Sequence, residues 1–414
     1  MHTPDSAAAV IIDRVRALPE ESVALPAARG RVLARDITSP IAFPPWDNSA
    51  MDGYAVRGDD LAAPGVELEI IEEIAAGAVP SRRLGPGRCA RIFTGAPIPE
   101  GADTVIRQED TTRLSPTLVR IDDLRDAGRN VRRRGEDLVA GTAVFRRGEW
   151  LRPAHLGVLA TMAFDTVPVH RAPRVALLAS GDEIVDLSRR DAILAGERIA
   201  SSNSYTLEAL IEETGGTVID LGIARDDPED LRRRIVGAAG ADLLLTTAGV
   251  SVGEHDFLRD VMDGFGLAHG FWRIRMRPGA PVGFGILEGL GGIPWIGLPG
   301  NPVSTMVTYE LFVRPALRRM LGHEGWFRRV RQVETAAPIQ LGPPLRHFLR
   351  VTLTPGTDRP IAQLTGPQGS GILTSMARAT ALLIVPEDRP RVEAGEVLNA
   401  IVLDDPAFIP AIPF

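Results

Sequence analysis

The sequence predicts an α/β multidomain protein in which a doubly wound α/β domain is joined to small mostly-β modules. Three observations carry that expectation. Between residues 173 and 322, apolar strand-like runs alternate with segments of helical periodicity, the pattern of a sheet covered by helices on both faces. Across 41–138 and 323–414, short β-like runs are divided by Gly/Pro turns, which is how small β modules read. The 414 residues, 44% of them hydrophobic, suffice for several separate cores. The expected domains are 1–40 together with 139–172 as an N-terminal linking unit, 41–138, 173–322 and 323–414.

Residues 5–18 place apolar side chains at helical spacing and predict a short amphipathic helix. VELEIIEEI (66–74), RCARIFTG (88–95), DTVIRQED (103–110) and TLVRID (117–122) predict the strands of the first β module, and HLGVLATMAF (155–164) a helix. RVALLAS (174–180), TVIDLGI (217–223) and DLLLTT (242–247) read as buried strands. Between them, SYTLEALIEETGG (204–216) is a helix with a glycine stop, and PEDLRRRIVGAAG (228–240) is a helix opened by Pro228. FLRDVMDGFG (257–266) predicts a further helix. FWRIRMR (271–277), PVGFGIL (281–287) and IPWIGL (293–298) then predict strands, and one long helix runs from about Pro302 to Met320. No internal repeat is visible.

Composition removes several classes of function. The net charge of −7 argues against a nucleic-acid partner. No stretch approaches the apolar length of a membrane span, and MHTPDSAAAVIIDRV lacks the basic start of a secretory signal, so a cytoplasmic address without a membrane partner is expected. The single cysteine, Cys89, has no partner for a disulfide within the chain, and no Cys/His cluster has zinc spacing. There is no lysine: all 46 residues of the Lys+Arg count are arginine. Schiff-base, pyridoxal-phosphate and P-loop lysines are thereby excluded. Any bound anion must be held by arginine, backbone N–H groups, hydroxyls or a metal.

In an open α/β sheet the ligand lies beyond the carboxyl ends of the strands. Four loops fall there: Ser180-Gly181-Asp182-Glu183, Arg225-Asp226-Asp227, the stretch from Ala248-Gly249 through Ser251 and Gly253 to Asp256, and Pro299-Gly300-Asn301-Pro302-Val303-Ser304. Glycine lets backbone N–H groups approach an anion, and a helix N-terminus adds partial positive charge. Glu183, Asp226 and Asp256 would share the rim, and three acids beside an anion point to Mg²⁺ with phosphate. The competing reading is that these acids cap helices and the glycines only turn the chain. A second polar loop, Pro44-Pro45-Trp46-Asp47-Asn48-Ser49-Ala50-Met51-Asp52-Gly53-Tyr54-Ala55, is either rigid and functional or an ordinary Asx-rich turn. Thr94, Gln108 and Glu109 add a hydroxyl, an amide and a carboxylate nearby in sequence. Arg132-Arg133-Arg134 is either a solvated face or an anion contact.

In their joint order, DNSAMDGYA (47–55), RIFTGAPIPEGAD (91–103), GED (135–137), GDE (181–183), GIARDDPEDLR (222–232), GVSVGEHD (249–256), GLPGNPVS (297–304) and GPQGSG (366–371) resemble the bacterial molybdopterin molybdenumtransferase family, which is similar to the C-terminal half of gephyrin. The resemblance implies a Mg²⁺-dependent transferase of molybdenum cofactor synthesis. It would insert molybdate, as substrate, into adenylylated molybdopterin and release AMP. The α/β domain would hold the pterin, the 41–138 module would carry the DNSAMDGYA loop, and the C-terminal domain would be β-barrel-like. Asp52, Thr94, Glu183, Asp226 and Asp256 match catalytic positions, and Glu183, Asp226 and Asp256 would hold the metal. Pro299 and Pro302 match positions that matter for activity, within a substrate surface also drawn from Ser180, Gly181, Gly249, Ser251 and Gly253. Gly300, Asn301, Ser304, Arg273 and Arg277 complete it. The family forms an L-shaped homodimer with a shared active cleft, and contacts with molybdopterin adenylyltransferase and molybdoenzymes are implied. Two other activities fit parts of the pattern: the adenylyltransferase itself, and a non-catalytic pterin-binding scaffold.

Three departures from the family stand out. Arg273 and Arg277 stand where lysine is common, and the charge is kept. Pro278-Gly279-Ala280-Pro281 replaces Pro-Gly-Lys-Pro, so one cation is lost. Thr247-Ala248-Gly249 carries alanine in a turn that is usually richer in glycine. These bear on anion affinity and on the choice between molybdate and tungstate.

Overall fold

The computed structural model describes residues 1–249 and 257–404. The chain divides into two compact units, one formed by 1–22, 30–34 and 168 onward, the other by 23–29 and 35–167. No helix among the described residues is long and apolar enough to cross a membrane.

The 35–167 unit is built on a six-stranded sheet in the order Thr104–Arg107, Gly53–Val56, Arg88–Ile92, Val66–Ile74, Leu118–Ile121, Thr111–Ser115. Alternation decides its two faces. Tyr54 and Val56 pack with Leu68, Ile106 and Val119 on one side, while Ala55 packs with Ile74, Ile92 and Val105 on the other. Gly53 is required where it stands: a Cβ there would lie 1.9 Å from the Ile106 carbonyl oxygen. That close approach pins the strand immediately after Asp52, with Gly53 opposite both Ile92 and Arg107.

In the other unit, a six-stranded sheet has the order Thr217–Ala224, Arg174–Ser180, Leu243–Thr247, Ile293–Leu298, Gly283–Leu287, Leu267–Phe271. The first four strands run parallel, and the last two join by antiparallel pairing. Strands buried on both faces must be apolar throughout, and Val175 to Ala179 are. Val175 and Leu177 pack with Leu207 and Ile211 of helix Ser202–Thr214 and with Val303 and Val307. Ala176 and Leu178 pack on the opposite face with Leu231 and Ile235 of helix Pro228–Ile235 and with Leu258 and Val261. The sheet is therefore doubly wound, as expected. Helix Pro4–Arg14 adds Ala7 and Ile11 to the first of these cores.

Two elements differ from expectation. FWRIRMR is not one strand. His269 takes a left-handed φ of 56° and the pairing shifts between Ala268 and Phe271, so the sheet strand ends at Phe271. Met276–Arg277 pairs instead with Arg346–His347 of the C-terminal sheet. The helix from Pro302 is also not uniform: Tyr309–Val313 forms a π-helical turn between Pro302–Thr308 and Arg314–Met320. Pro315 has no N–H to give the preceding turn, which disfavours a regular α ladder at that point.

After residue 330, five strands close on themselves. Arg346–Thr354 pairs with Ile361–Leu364 on one side and Ala381–Val385 on the other, and Val330–Thr335 and Val397–Val402 complete the ring.

One packing constraint is sharp enough to test. A Cβ on Gly283 would sit 2.3 Å from Cη2 of Trp295, which is fully buried and donates its Nε1–H to Thr246 Oγ1 at 3.0 Å. Gly283→Ala is expected to cost about 1–3 kcal/mol by overpacking. It should lower the urea midpoint followed by tryptophan fluorescence; an unchanged midpoint would show that the indole can move aside.

Candidate functional site

The parallel register brings four strand ends level: Ser180 lies opposite Ala224, Ala179 opposite Thr247, and Thr247 opposite Leu298. Ser180 Oγ donates to the Thr247 carbonyl at 3.2 Å, and the Ala248 N–H donates to the Leu298 carbonyl at 3.0 Å. A cleft of about 560 Å³ opens here, lined among others by Ser180, Glu183, Gly249, Pro299, Gly300, Asn301 and Pro302.

Two helix N-termini face this cleft. Ser201, before Ser202–Thr214, makes no side-chain cap; its hydroxyl pairs with that of Ser204 at 2.7 Å. Asn301, before Pro302–Thr308, also makes none. The two ends are tied by Asn203, whose Nδ2 donates to the Gly300 carbonyl at 2.8 Å. The N-terminus of Ser202–Thr214, without a side-chain cap, leaves N–H groups and partial positive charge for a ligand such as a phosphate or carboxylate. At the other helix Pro302 has no N–H and the Val303 N–H is already used, so that end adds its dipole. Ser201, Ser202 and Asn203 line the cleft, although sequence reasoning passed over them. The signal was available, because Ser-Ser-Asn-Ser before an amphipathic run is a helix-start signature.

The acids are unequal. Gly181 has a φ of 138°, and a Cβ there would lie 2.7 Å from Glu183 Oε2, so the Glu183 carboxylate folds against the glycine beside the cleft. The Asp226 N–H donates to Asp182 Oδ1 at 3.4 Å, which links the first two loops, but Asp226 does not line the cleft. Asp227 is a helix cap, accepting the Asp230 N–H at 2.9 Å. Ser251, Gly253 and Asp256 lie outside the described residues, and with them the complete Glu183–Asp226–Asp256 set. Among the described residues no group of three His, Cys, Asp or Glu forms a metal cluster. Ser304 is buried behind the helix start, where its carbonyl accepts the Thr308 hydroxyl. Ala248 holds a left-handed φ of 68°, strained by roughly 1–2 kcal/mol for a non-glycine residue.

A second pocket, of about 600 Å³, lies in the C-terminal module. Arg277 and Arg350 line it with His347 and Gln340, and no carboxylate does among the described residues. Arg350 is fully buried, with no acidic partner among the described residues. Its Nε donates to Ser375 Oγ at 3.0 Å, Nη1 to the Gln368 carbonyl at 3.2 Å, and Nη2 to the Gly369 carbonyl at 3.0 Å. Gln368 Oε1 in return accepts the Arg350 N–H at 2.9 Å. Burial pushes this guanidinium below its ordinary pKa, yet arginine stays charged. The loop around it continues to the first cleft: the Ser370 carbonyl accepts the Val303 N–H at 3.1 Å, and Gly371 lines that cleft. Arg350 was also missed, although an arginine inside the apolar run HFLRVTL is the kind of buried polar residue that calls for an explanation. Arg273 is exposed and lines neither pocket.

In the 35–167 unit, Asp52 is exposed. The Thr94 N–H and hydroxyl both donate to its Oδ1, at 2.8 and 2.7 Å. Those two bonds, with Arg91 nearby, hold the carboxyl below its usual pKa. Arg91 is fixed in turn. It donates to the Gly53 carbonyl at 2.9 Å and Gln108 Oε1 at 2.7 Å, and lies against the rings of Tyr54 and Phe93. The arginine run folds onto the polar loop, with Arg133 Nη1 and the Arg134 N–H both donating to Asp47 at 2.7 Å.

A doubly wound domain with two helix N-termini at its carboxyl edge, followed by a β module that adds an arginine-lined pocket, defines a multidomain α/β protein with its cleft at the strand ends. Residues 2–163 match the family described as the MoeA N-terminal region (domain I and II), 176–319 a probable molybdopterin binding domain, and 332–403 the MoeA C-terminal region (domain IV). The molybdopterin molybdenumtransferase of a Nostoc species is 36% identical over 93% of this chain and 89% of its own length. That of Haemophilus influenzae is 34% identical over 92% and 93%. The crystal structure of a molybdopterin biosynthesis MoeA protein from Pyrococcus aligns over 97% of this chain and 99% of its own, with 30% identity and a TM-score of 0.82. The chain belongs to the molybdopterin molybdenumtransferase family.

The Asp52 geometry predicts a titration. Thr94→Ala removes the hydroxyl donor and leaves the N–H, so the Asp52 carboxyl pKa, followed by ¹³C NMR, should rise. Thr94→Ser should restore it. An unmoved titration would mean that the hydroxyl does not hold the charge.

Proposed function

We propose that this protein inserts molybdate into adenylylated molybdopterin and releases AMP. The observation that carries the reading is the pairing of two anion sites in a chain of this family. A cleft with helix N-termini without side-chain caps suits a phosphate, and one loop connects it to an arginine pocket, lined by no carboxylate among the described residues, that suits a tetrahedral dianion. The cleft would hold the pterin phosphate and AMP, and Arg277 with Arg350 would draw molybdate.

The chemistry balances without an oxidant. Two dithiolene S–H groups give their protons to one molybdate oxygen, which leaves as water while two Mo–S bonds form. Cleavage of the phosphoanhydride to AMP takes up one water, so no net water is made or used. Glu183, beside Gly181, fits a Mg²⁺ ion that binds one or two carboxylates and keeps its other positions for phosphate oxygens and water. When bound, that ion would neutralise charge on the phosphoanhydride. Asp52 is held as an ionised acceptor, which suits orienting water or thiol protons better than strong base catalysis.

The adenylyltransferase reading would need only a domain like 173–322 and would consume a nucleoside triphosphate. The scaffold reading predicts binding without turnover. With adenylylated molybdopterin, Mg²⁺ and molybdate, AMP release is the expected result; no AMP release with intact ligand binding would favour the scaffold. Asp52→Asn should lower turnover by orders of magnitude with the fold kept. Arg277→Met should raise the molybdate KM about tenfold or more, the scale of one charged hydrogen bond. Near-wild-type constants in either variant would remove that residue from its role.

We further propose a homodimer in which Asp52 and Asp226 of one site come from different copies. Asp52→Asn and Asp226→Asn homodimers would then each lack both sites. After random exchange of equal amounts, about half the dimers are mixed, each with one intact site, so about a quarter of wild-type activity should return. A mixture that stays inactive after demonstrated exchange would sink the shared site.

A further inference from the structure

A third cavity, of about 640 Å³, shares no residue with the cleft or with the Arg277–Arg350 pocket. It lies among helix Arg314–Met320, the segment 325–331 and the end of strand Val397–Val402. Among the described residues, the arginines at 314, 318, 328, 329 and 331 line it with one carboxylate, Glu213.

Two nearby acids, Glu310 and Glu213, are already used. Buried Arg314 donates to Glu310 through Nε at 2.8 Å and Nη2 at 3.0 Å, and pairs with Glu213 at 3.2 Å. Arg328 donates to the same Glu310 at 2.7 Å and to the Leu403 carbonyl at 2.8 Å. Arg318 is left differently. It is half-buried, its Nε donates to the Gly325 carbonyl at 2.8 Å, and its η nitrogens have no acceptor among the described residues. Arg329 is exposed on the same cavity wall. Burial and the neighbouring charges of Arg314 and Arg328 push the Arg318 guanidinium below its ordinary pKa. A partly desolvated guanidinium whose η nitrogens lack an acceptor among the described residues gains from an anion that joins it.

We propose that this cavity binds a small multivalent oxyanion of the phosphate type, held by the η nitrogens of Arg318 and by Arg329. The guanidinium fork matches two oxygens of a tetrahedral phosphate, which fits such a group better than a monovalent ion. The anion would bridge helix Arg314–Met320 to the segment leading into the C-terminal sheet. Its source is either inorganic or the phosphate end of a nucleotide.

The test uses the full chain and reads binding rather than turnover, so it stands apart from the proposed reaction. Inorganic pyrophosphate should raise the thermal midpoint and bind measurably by calorimetry. Arg318→Met should weaken that binding at least tenfold, and so should Arg329→Met, whose exposed position guards against a folding defect. Arg113→Met, at an exposed arginine that lines none of these pockets, should leave it unchanged. ADP binding tighter than pyrophosphate and lost in Arg318→Met would identify a nucleotide as the carrier; equal or weaker ADP binding would identify the inorganic anion. No pyrophosphate binding, or binding that survives both Arg318→Met and Arg329→Met, overturns the proposal.

Discussion

The parallel pairing of Arg174–Ser180 with a strand on each side is the constraint on which the cleft depends. It brings the ends of neighbouring strands level, so loops far apart in sequence open at one edge. The pairing in turn requires apolar residues on both faces of the central strand, and every side chain from Val175 to Ala179 is buried. A polar residue before Ser180 would face a helix rather than a ligand. At Ser180 the helical cover ends and polar chemistry begins, with its hydroxyl bonded to the next strand's last carbonyl. The change from core to site occupies one residue.

Charge is the second constraint. Without lysine, every fixed cation is a guanidinium, and this chain uses guanidinium groups in opposite ways. Arg314 is neutralised by Glu310 and Glu213, and so serves packing. Arg350 is equally buried, but its partners are a serine hydroxyl and peptide carbonyls. Neutral acceptors stabilise a cation without cancelling it, so its field reaches the adjoining pocket. An acid in place of Ser375, whose hydroxyl accepts from Nε, would make a stronger pair and a weaker anion site. The carbonyl cage also fixes the Gly366–Gly369 turn, so arginine and loop position each other.

Much of this was legible in the sequence, for physical reasons. Arg174–Ser180 and Ser202–Thr214 were readable because buried strands and one-faced helices have distinct apolar periods. The four rim loops followed from where such strands must end. FWRIRMR misled because Phe271, Ile274 and Met276 are all buried, but in a chain that leaves one sheet and joins another; a left-handed His269 is invisible to periodicity. The π turn at Tyr309–Val313 was hidden for a similar reason, since one added residue per turn barely disturbs an apolar stripe. Arg350 was missed because its partners are carbonyls of residues 367–369, and hydrogen bonds to backbone leave no trace in residue types. Asp227 shows the converse: in the acidic loop of Arg225 to Asp227, the sequence did not distinguish the helix cap from its neighbour.

The electrostatics of Asp52 narrow its part in the chemistry. A strong general base needs a pKa near the working pH, and that calls for burial or a neighbouring acid. Asp52 has neither. It is exposed, and two donors from Thr94 converge on one of its oxygens. Such a carboxylate keeps its charge and orientation while taking up protons poorly. The proposed exchange suits that state: protons pass from sulfur to a departing molybdate oxygen, and water is consumed at the anhydride in equal number. The thiol–molybdate half keeps its protons in the departing water, and the protons freed when water opens the anhydride can pass to phosphate oxygens and solvent, so an exposed carboxylate that aligns O–H or S–H groups is enough. Gly53 contributes to the same end, because its contact with the Ile106 carbonyl allows no side chain and anchors the residue after Asp52 in the sheet. The backbone constraint and the lowered pKa thus serve one purpose, a negative charge held at a fixed place.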